Sequence, residues 1–69
     1  MRVEINGETH ELPEGSSLGD AALAIGINPG RGIAIALDGV VVPMRDIELT
    51  LLRDGQRVEV VAAIGGGGR

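Results

Sequence analysis

The chain has 69 residues, ten acidic and six basic for a net charge of −4, which leaves room for one small core and no second domain. It contains no cysteine and no Phe, Tyr or Trp, so neither a disulfide nor a thiolate metal site supplements the packing, and the interior is layered from Val, Ile, Leu, Ala and Met. The acidic balance and the missing aromatic platforms argue against nucleic acid as a partner, because phosphate neutralisation and base stacking supply most of that affinity.

Met1 leads straight into "RVEI", in which Met1, Val3 and Ile5 alternate with Arg2 and Glu4, the pattern of a half-buried strand. That opening lacks a basic segment followed by an apolar one, and no apolar run approaches membrane-spanning length, so a cytoplasmic protein with no membrane partner is expected. Asn6-Gly7 then signals a tight hairpin, since both residues tolerate positive φ. The return strand is "ETHEL", with His10 and Leu12 on one face.

Pro13-Glu14-Gly15 breaks the pairing, and Ser16 or Ser17 can cap the segment "LGDAALAIG". Its Leu18, Ala21, Ala22 and Ile25 repeat at helical spacing, which predicts one short helix closed by Gly26. "INPGRG" follows as a loop. "IAIALDGVVV" predicts two strands joined at Asp38-Gly39, with Ile33, Ile35 and Leu37 on one face and the small Ala34 and Ala36 on the other. That small, flat face could admit another protein.

Pro43 ends the second of these strands, and "MRDIELTLL" is a connection with room for one helical turn. Arg53-Asp54-Gly55 turns the chain into "RVEVVAA", whose β-branched enrichment suits a buried central strand. Hairpin, helix, two strands, connection, final strand: each element has one apolar side, and a mixed sheet of about five strands wrapped on a single helix buries them all. This α+β order is the β-grasp topology of ubiquitin-like proteins. The expected organisation is a β-grasp domain over residues 1–64 and a flexible glycine tail over 65–69.

The inventory for catalysis is thin. His10 is the single histidine and there is no cysteine, which within one chain argues against a histidine-based metal site or a triad, so no metal and no catalytic residue is expected. Ser16 and Ser17 are the two serines, and helix capping accounts for both. The ten carboxylates are spread over turns and polar strand faces as a solvated surface. Gly30 and Gly32 lack the third glycine of a dinucleotide fingerprint and read as loop.

The tail remains. A glycine-rich terminus is most often a linker, but here the glycines follow the final strand without a polar spacer, so the sheet would project them as a rooted arm. Lacking Cβ atoms, such an arm can thread a narrow channel and carry a terminal carboxylate into a partner's active site. Transfer to AMP would activate that carboxylate for displacement by sulfur or another nucleophile. No side-chain amine is available for ubiquitin-type chain formation, since all six basic residues are Arg.

Taken in order, the opening strand with Asn6-Gly7, the block Ile33 to Pro43, the turn Leu52 to Gly55 and the run Val58 to Gly67 make the chain resemble the ThiS family, the sulfur carriers of thiamine biosynthesis. The resemblance spans essentially the whole chain. It departs from the family where Gln56 replaces a common Asp and where an aromatic residue is common near Ile47. It implies a β-grasp fold and a terminal glycine that an E1-like adenylating enzyme activates with ATP, no cofactor being bound by the carrier itself. It further implies conversion to a thiocarboxylate, with a sulfur donor such as a cysteine desulfurase system, and sulfur delivery to thiazole synthase.

Carried over from the "VEVV" strand, the family's terminal pair falls on Gly66-Gly67, with Gly65 in the arm and Gly67 the residue modified. Gly68-Arg69 extends past that point. Either a protease trims both, or they are an artefact or mark an inactive form, or loss of Arg69 alone makes Gly68 the working terminus. If Val58 and Val60 face the helix, Glu59 and Val61 face outward. Val61, Ile64, Ala34 and Ala36 would then form an apolar partner-binding patch at the root of the tail. Two other functions are compatible with these residues: a sulfur carrier for molybdopterin, cysteine or thionucleoside synthesis, and a ubiquitin-like binding module with passive glycines.

Overall fold

The computed structural model describes residues 1–62. Its elements are β1 (Arg2–Ile5), β2 (Glu8–Glu11), α1 (Leu18–Ala24), β3 (Ile33–Leu37), β4 (Val40–Val42), a 3-10 turn (Met44–Asp46) and β5 (Arg57–Ala62). They form one mixed sheet in the order β2-β1-β5-β3-β4, with β5 central, parallel to β1 and antiparallel to β3.

Both hairpins use two-residue turns in the left-handed region. Asn6 and Gly7 have φ of 51° and 87°, and Asp38 and Gly39 have 49° and 86°. Such turns match the right-handed twist of the flanking strands, and Asn, Asp and Gly are the residues that adopt them at little cost. The turns therefore fix the registers, Val3 opposite His10 in one hairpin and Ala36 opposite Val41 in the other. With a side-chain period of two, these registers send Val3, Ile5, Ile35, Val58 and Val60 to one side, where each is at most 4% exposed.

Helix α1 covers that side. Ser17 caps it: its hydroxyl accepts from the Asp20 N–H, and the Asp20 carboxylate accepts from the Ser17 N–H, a reciprocal pair that meets two otherwise orphaned donors. Gly26 closes the helix as expected, lying directly after the Ile25 cap with a φ of 80°. Gly26 N–H donates to the Leu23 carbonyl and Ile27 N–H to that of Ala22, so the last turn tightens and Ile25 becomes the cap. Two turns of helix are too short to persist alone, and α1 is held by burying Leu18, Ala21 and Ala22.

The connection before β5 contributes more than a single turn. Ile47 and Leu52 are buried, and Leu51 bridges to Ser17, with Leu18 N–H donating to the Thr50 carbonyl and Leu52 N–H to that of Ser16. The aliphatic Ile47 is part of the core, 1% exposed. Gln56 closes the turn into β5, its Oε1 accepting from Arg53 N–H at 2.8 Å and its Nε2 donating to Asp38 Oδ2 at 3.2 Å.

Candidate functional site

Among the described residues, the other side of the sheet carries no helix. On β3 and β5 it presents Ala34 opposite Val61 and Ala36 opposite Glu59, and β4 adds Val41 beside Ala36. Two alanines set between longer side chains leave a concavity of about 560 Å³, floored by Ala34 and Ala36 and walled by Val41, Val61, Arg57 and Glu59. Glu4, Asn6 and Gly7 close it toward β1. Val41 is 67% exposed and Val61 56%, so the hollow is apolar at its floor, along β4 and at the Val61 end of β5, and charged where Arg57 and Glu59 line it.

Of the predicted patch, Ala34, Ala36 and Val61 come together on this face. Ile64 and the tail residues Gly65, Gly66, Gly67 and Gly68 lie outside the described residues. Val41 belongs to the face and was not anticipated, although the Asp38-Gly39 turn already dictates its place opposite Ala36. Asn6 is more than the turn residue its pairing with Gly7 announces. Its carboxamide also spans from the turn to β5, with Oδ1 accepting from Val60 N–H at 2.8 Å and Nδ2 donating to the Val60 carbonyl at 3.1 Å.

His10 stands apart from this face. It lies opposite Val3 on the helix side of edge strand β2, its side chain 26% exposed and its Nε2 4.0 Å from Glu8 Oε1 without a hydrogen-bond partner. Ser16 Oγ donates to the Pro13 carbonyl and Ser17 Oγ is the helix cap, so both hydroxyls are engaged structurally. Among the described residues no cluster of three or more His, Asp or Glu is placed to hold a metal, and no helix is long and apolar enough to cross a membrane.

A five-stranded mixed sheet with the last strand at its centre, one helix on one face and an open hollow on the other, defines a ubiquitin-like β-grasp domain. The chain belongs to the ThiS family, whose model matches residues 2–67, and so to a group of small carrier domains rather than catalysts. A search of curated proteins found no match. Among solved structures, the crystal structure of the thiamine biosynthesis protein ThiS from Geobacter metallireducens is similar, with a TM-score of 0.79 at 23% identity, covering 97% of this chain and 100% of that one. A solution structure of a thiamine biosynthesis protein from the same organism has a TM-score of 0.76 at 24% identity, covering 100% of this chain and 91% of that one. At these identities the likeness is one of fold.

Proposed function

We propose that this protein is a sulfur carrier whose C-terminal glycine carboxylate is the cargo site, working with an E1-like adenylating enzyme and thiazole synthase in thiamine biosynthesis. The observation that carries the reading is the placement of the last strand. β5 is the central strand, and Val61 near its end shares the open face with Ala34. A partner seated on that face would lie beside the root of the arm. Gly67 is the fifth residue past Ala62, enough for an extended span of roughly 17 Å.

The chemistry belongs to the partner. The Gly67 carboxylate attacks the α-phosphorus of ATP and releases pyrophosphate, giving an acyl adenylate. The terminal sulfur of a donor persulfide then displaces AMP to give an acyl disulfide. A thiol attacks the donor-side sulfur, so that the S–S bond breaks, the donor is left in a disulfide with that thiol, and the thiocarboxylate departs with one oxygen exchanged for sulfur. This chain supplies the handle, the arm and the carboxylate. Activation at Gly67 requires a free carboxylate there, and hence a chain without Gly68-Arg69; loss of Arg69 alone would move the same chemistry to Gly68.

The test is intact-mass spectrometry of a chain ending at Gly67, incubated with its cognate adenylating enzyme, ATP and a sulfur source. The expected product is heavier by the difference between sulfur and oxygen, and substituting Gly67 with a bulkier residue abolishes it. An unchanged mass in the presence of an enzyme shown to be active on ATP would reject the carrier reading in favour of a passive binding module.

A further inference from the structure

The first residue of each hairpin turn reaches across to the central strand, and the two do so at opposite ends. At the start of β5, Asp38 Oδ1 accepts from Arg57 N–H at 2.9 Å and Oδ2 from Gln56 Nε2 at 3.2 Å. Both incoming groups are donors, which suits a carboxylate. At the far end Asn6 faces one donor and one acceptor, the N–H and the carbonyl of Val60. A carboxamide alone among the short side chains offers both complements on adjacent atoms.

The position of this clasp matters because β1 stops short. The strand ends at Ile5, and Asn6 N–H donates to the Val58 carbonyl at 2.9 Å just before the chain turns back at Gly7. Val60 is two residues on, past the reach of the β1 backbone. The Asn6 side chain stands in for the missing strand residue there. On the opposite flank the register with β3 ends at Ile33 and Ala62.

We propose that Asn6 is a positioning residue: by clasping Val60 it fixes where the chain leaves the sheet, and hence the length and direction of the arm that presents the terminal carboxylate. This rests on the carrier reading above. A loosened clasp leaves Val60 to Ala62 held by β3 alone, so that fraying of their pairing with Ile33 to Ile35 lengthens the arm. The carboxylate then samples a larger volume, and a smaller share of docked complexes holds it in line for attack.

Two variants separate the clasp from the turn. Asn6→Gly keeps the left-handed backbone and removes the side chain, whereas Asn6→Asp keeps the acceptor for Val60 N–H but sets an anion against the Val60 carbonyl. On the full chain, amide hydrogen exchange is read as the rate at Val60 relative to that at Arg57, whose N–H is held by Asp38, so a change in global stability cancels. On chains ending at Gly67, kcat and KM for conversion by the adenylating enzyme are measured separately. In Asn6→Gly the exchange ratio should rise about tenfold, the order expected for losing hydrogen bonds of this kind. Its kcat should fall several-fold, by a larger factor than any rise in KM, because Ala34, Ala36, Val41 and Val61 are intact and only the rim that Asn6 lends the hollow is changed. Asn6→Asp should lie between Asn6→Gly and the parent in exchange, and it serves in its place should the glycine variant fail to fold.

An exchange ratio that does not move, a kcat that does not fall, or a KM that rises with kcat constant would each overturn the positioning role. If the parent chain itself is not converted by an active enzyme, the carrier reading fails, and the exchange ratio alone then decides whether the clasp sets the strand exit.

Discussion

The two faces of the sheet are made by the same strands in alternation and have opposite characters. Along β3, Ile35 is 1% exposed and points into the core, while its neighbours Ala34 and Ala36 point the other way. Along β5, Val58 and Val60 are buried, while Glu59 and Val61 line the hollow. One face is closed by Leu18, Ala21, Ala22, Ile47 and Leu52, all at most 5% exposed. The other has small side chains where a core would have large ones. Stability and recognition are thus assigned to alternate residues, and substitutions one position apart should affect different properties.

The largest expected effect comes from the closed face. Ile35→Ala removes a buried side chain from the middle of a core that has no aromatic residue to collapse into the gap, and costs about 2–5 kcal/mol. For a domain of this size each kcal/mol shifts Tm by roughly 4–8 °C, so calorimetry should show a drop of about eight degrees or more. A drop of only a degree or two would mean that the core repacks freely, and the contrast between the faces would lose its basis.

A smaller loss is expected at the edge of the closed face. Ser17→Ala deletes the hydroxyl that accepts from Asp20 N–H and leaves the reciprocal bond from Ser17 N–H in place. The cost is about 1 kcal/mol, measured as a shift in the urea midpoint without a change in slope. Conversion of the carboxylate should be untouched, since α1 and the hollow lie on opposite sides of the sheet.

How far the fold could be read in advance follows from where the signals are local. The hairpin turns announce themselves as Asn6-Gly7 and Asp38-Gly39, and alternation in "RVEI", "IAIAL" and "RVEVVA" reveals which side chains share a face. The central place of β5 was legible from its β-branched residues, and so was the small-residue face. Ile47 was not, because it sits in an aperiodic connection and its burial depends on the loop folding over the start of α1. Val41 was missed for want of carrying the turn's register one step further. The clasp of Asn6 on Val60 joins residues 54 apart in sequence, and no local pattern encodes a side chain substituting for a strand. The residues with the least structural signal are the glycines, whose assignment comes from order and spacing along the whole chain.

The smallest effect on stability offers the sharpest separation of the faces. Ala36 stands directly opposite Glu59 on the open face. Ala36→Glu places like charges across the strands and should destabilise by a few tenths to about 1 kcal/mol, while Ala36→Arg places opposite charges there and should stabilise by a similar amount. Both side chains fill the floor of the hollow. If that floor receives the adenylating enzyme, both variants should raise KM for conversion by tenfold or so, equivalent to about 1.4 kcal/mol of lost binding, with kcat little changed. The two variants move stability in opposite directions and docking in the same direction, which no general loosening of the domain can imitate. Normal conversion by Ala36→Arg would remove the hollow from the docking surface, leaving recognition to the chain beyond Ala62.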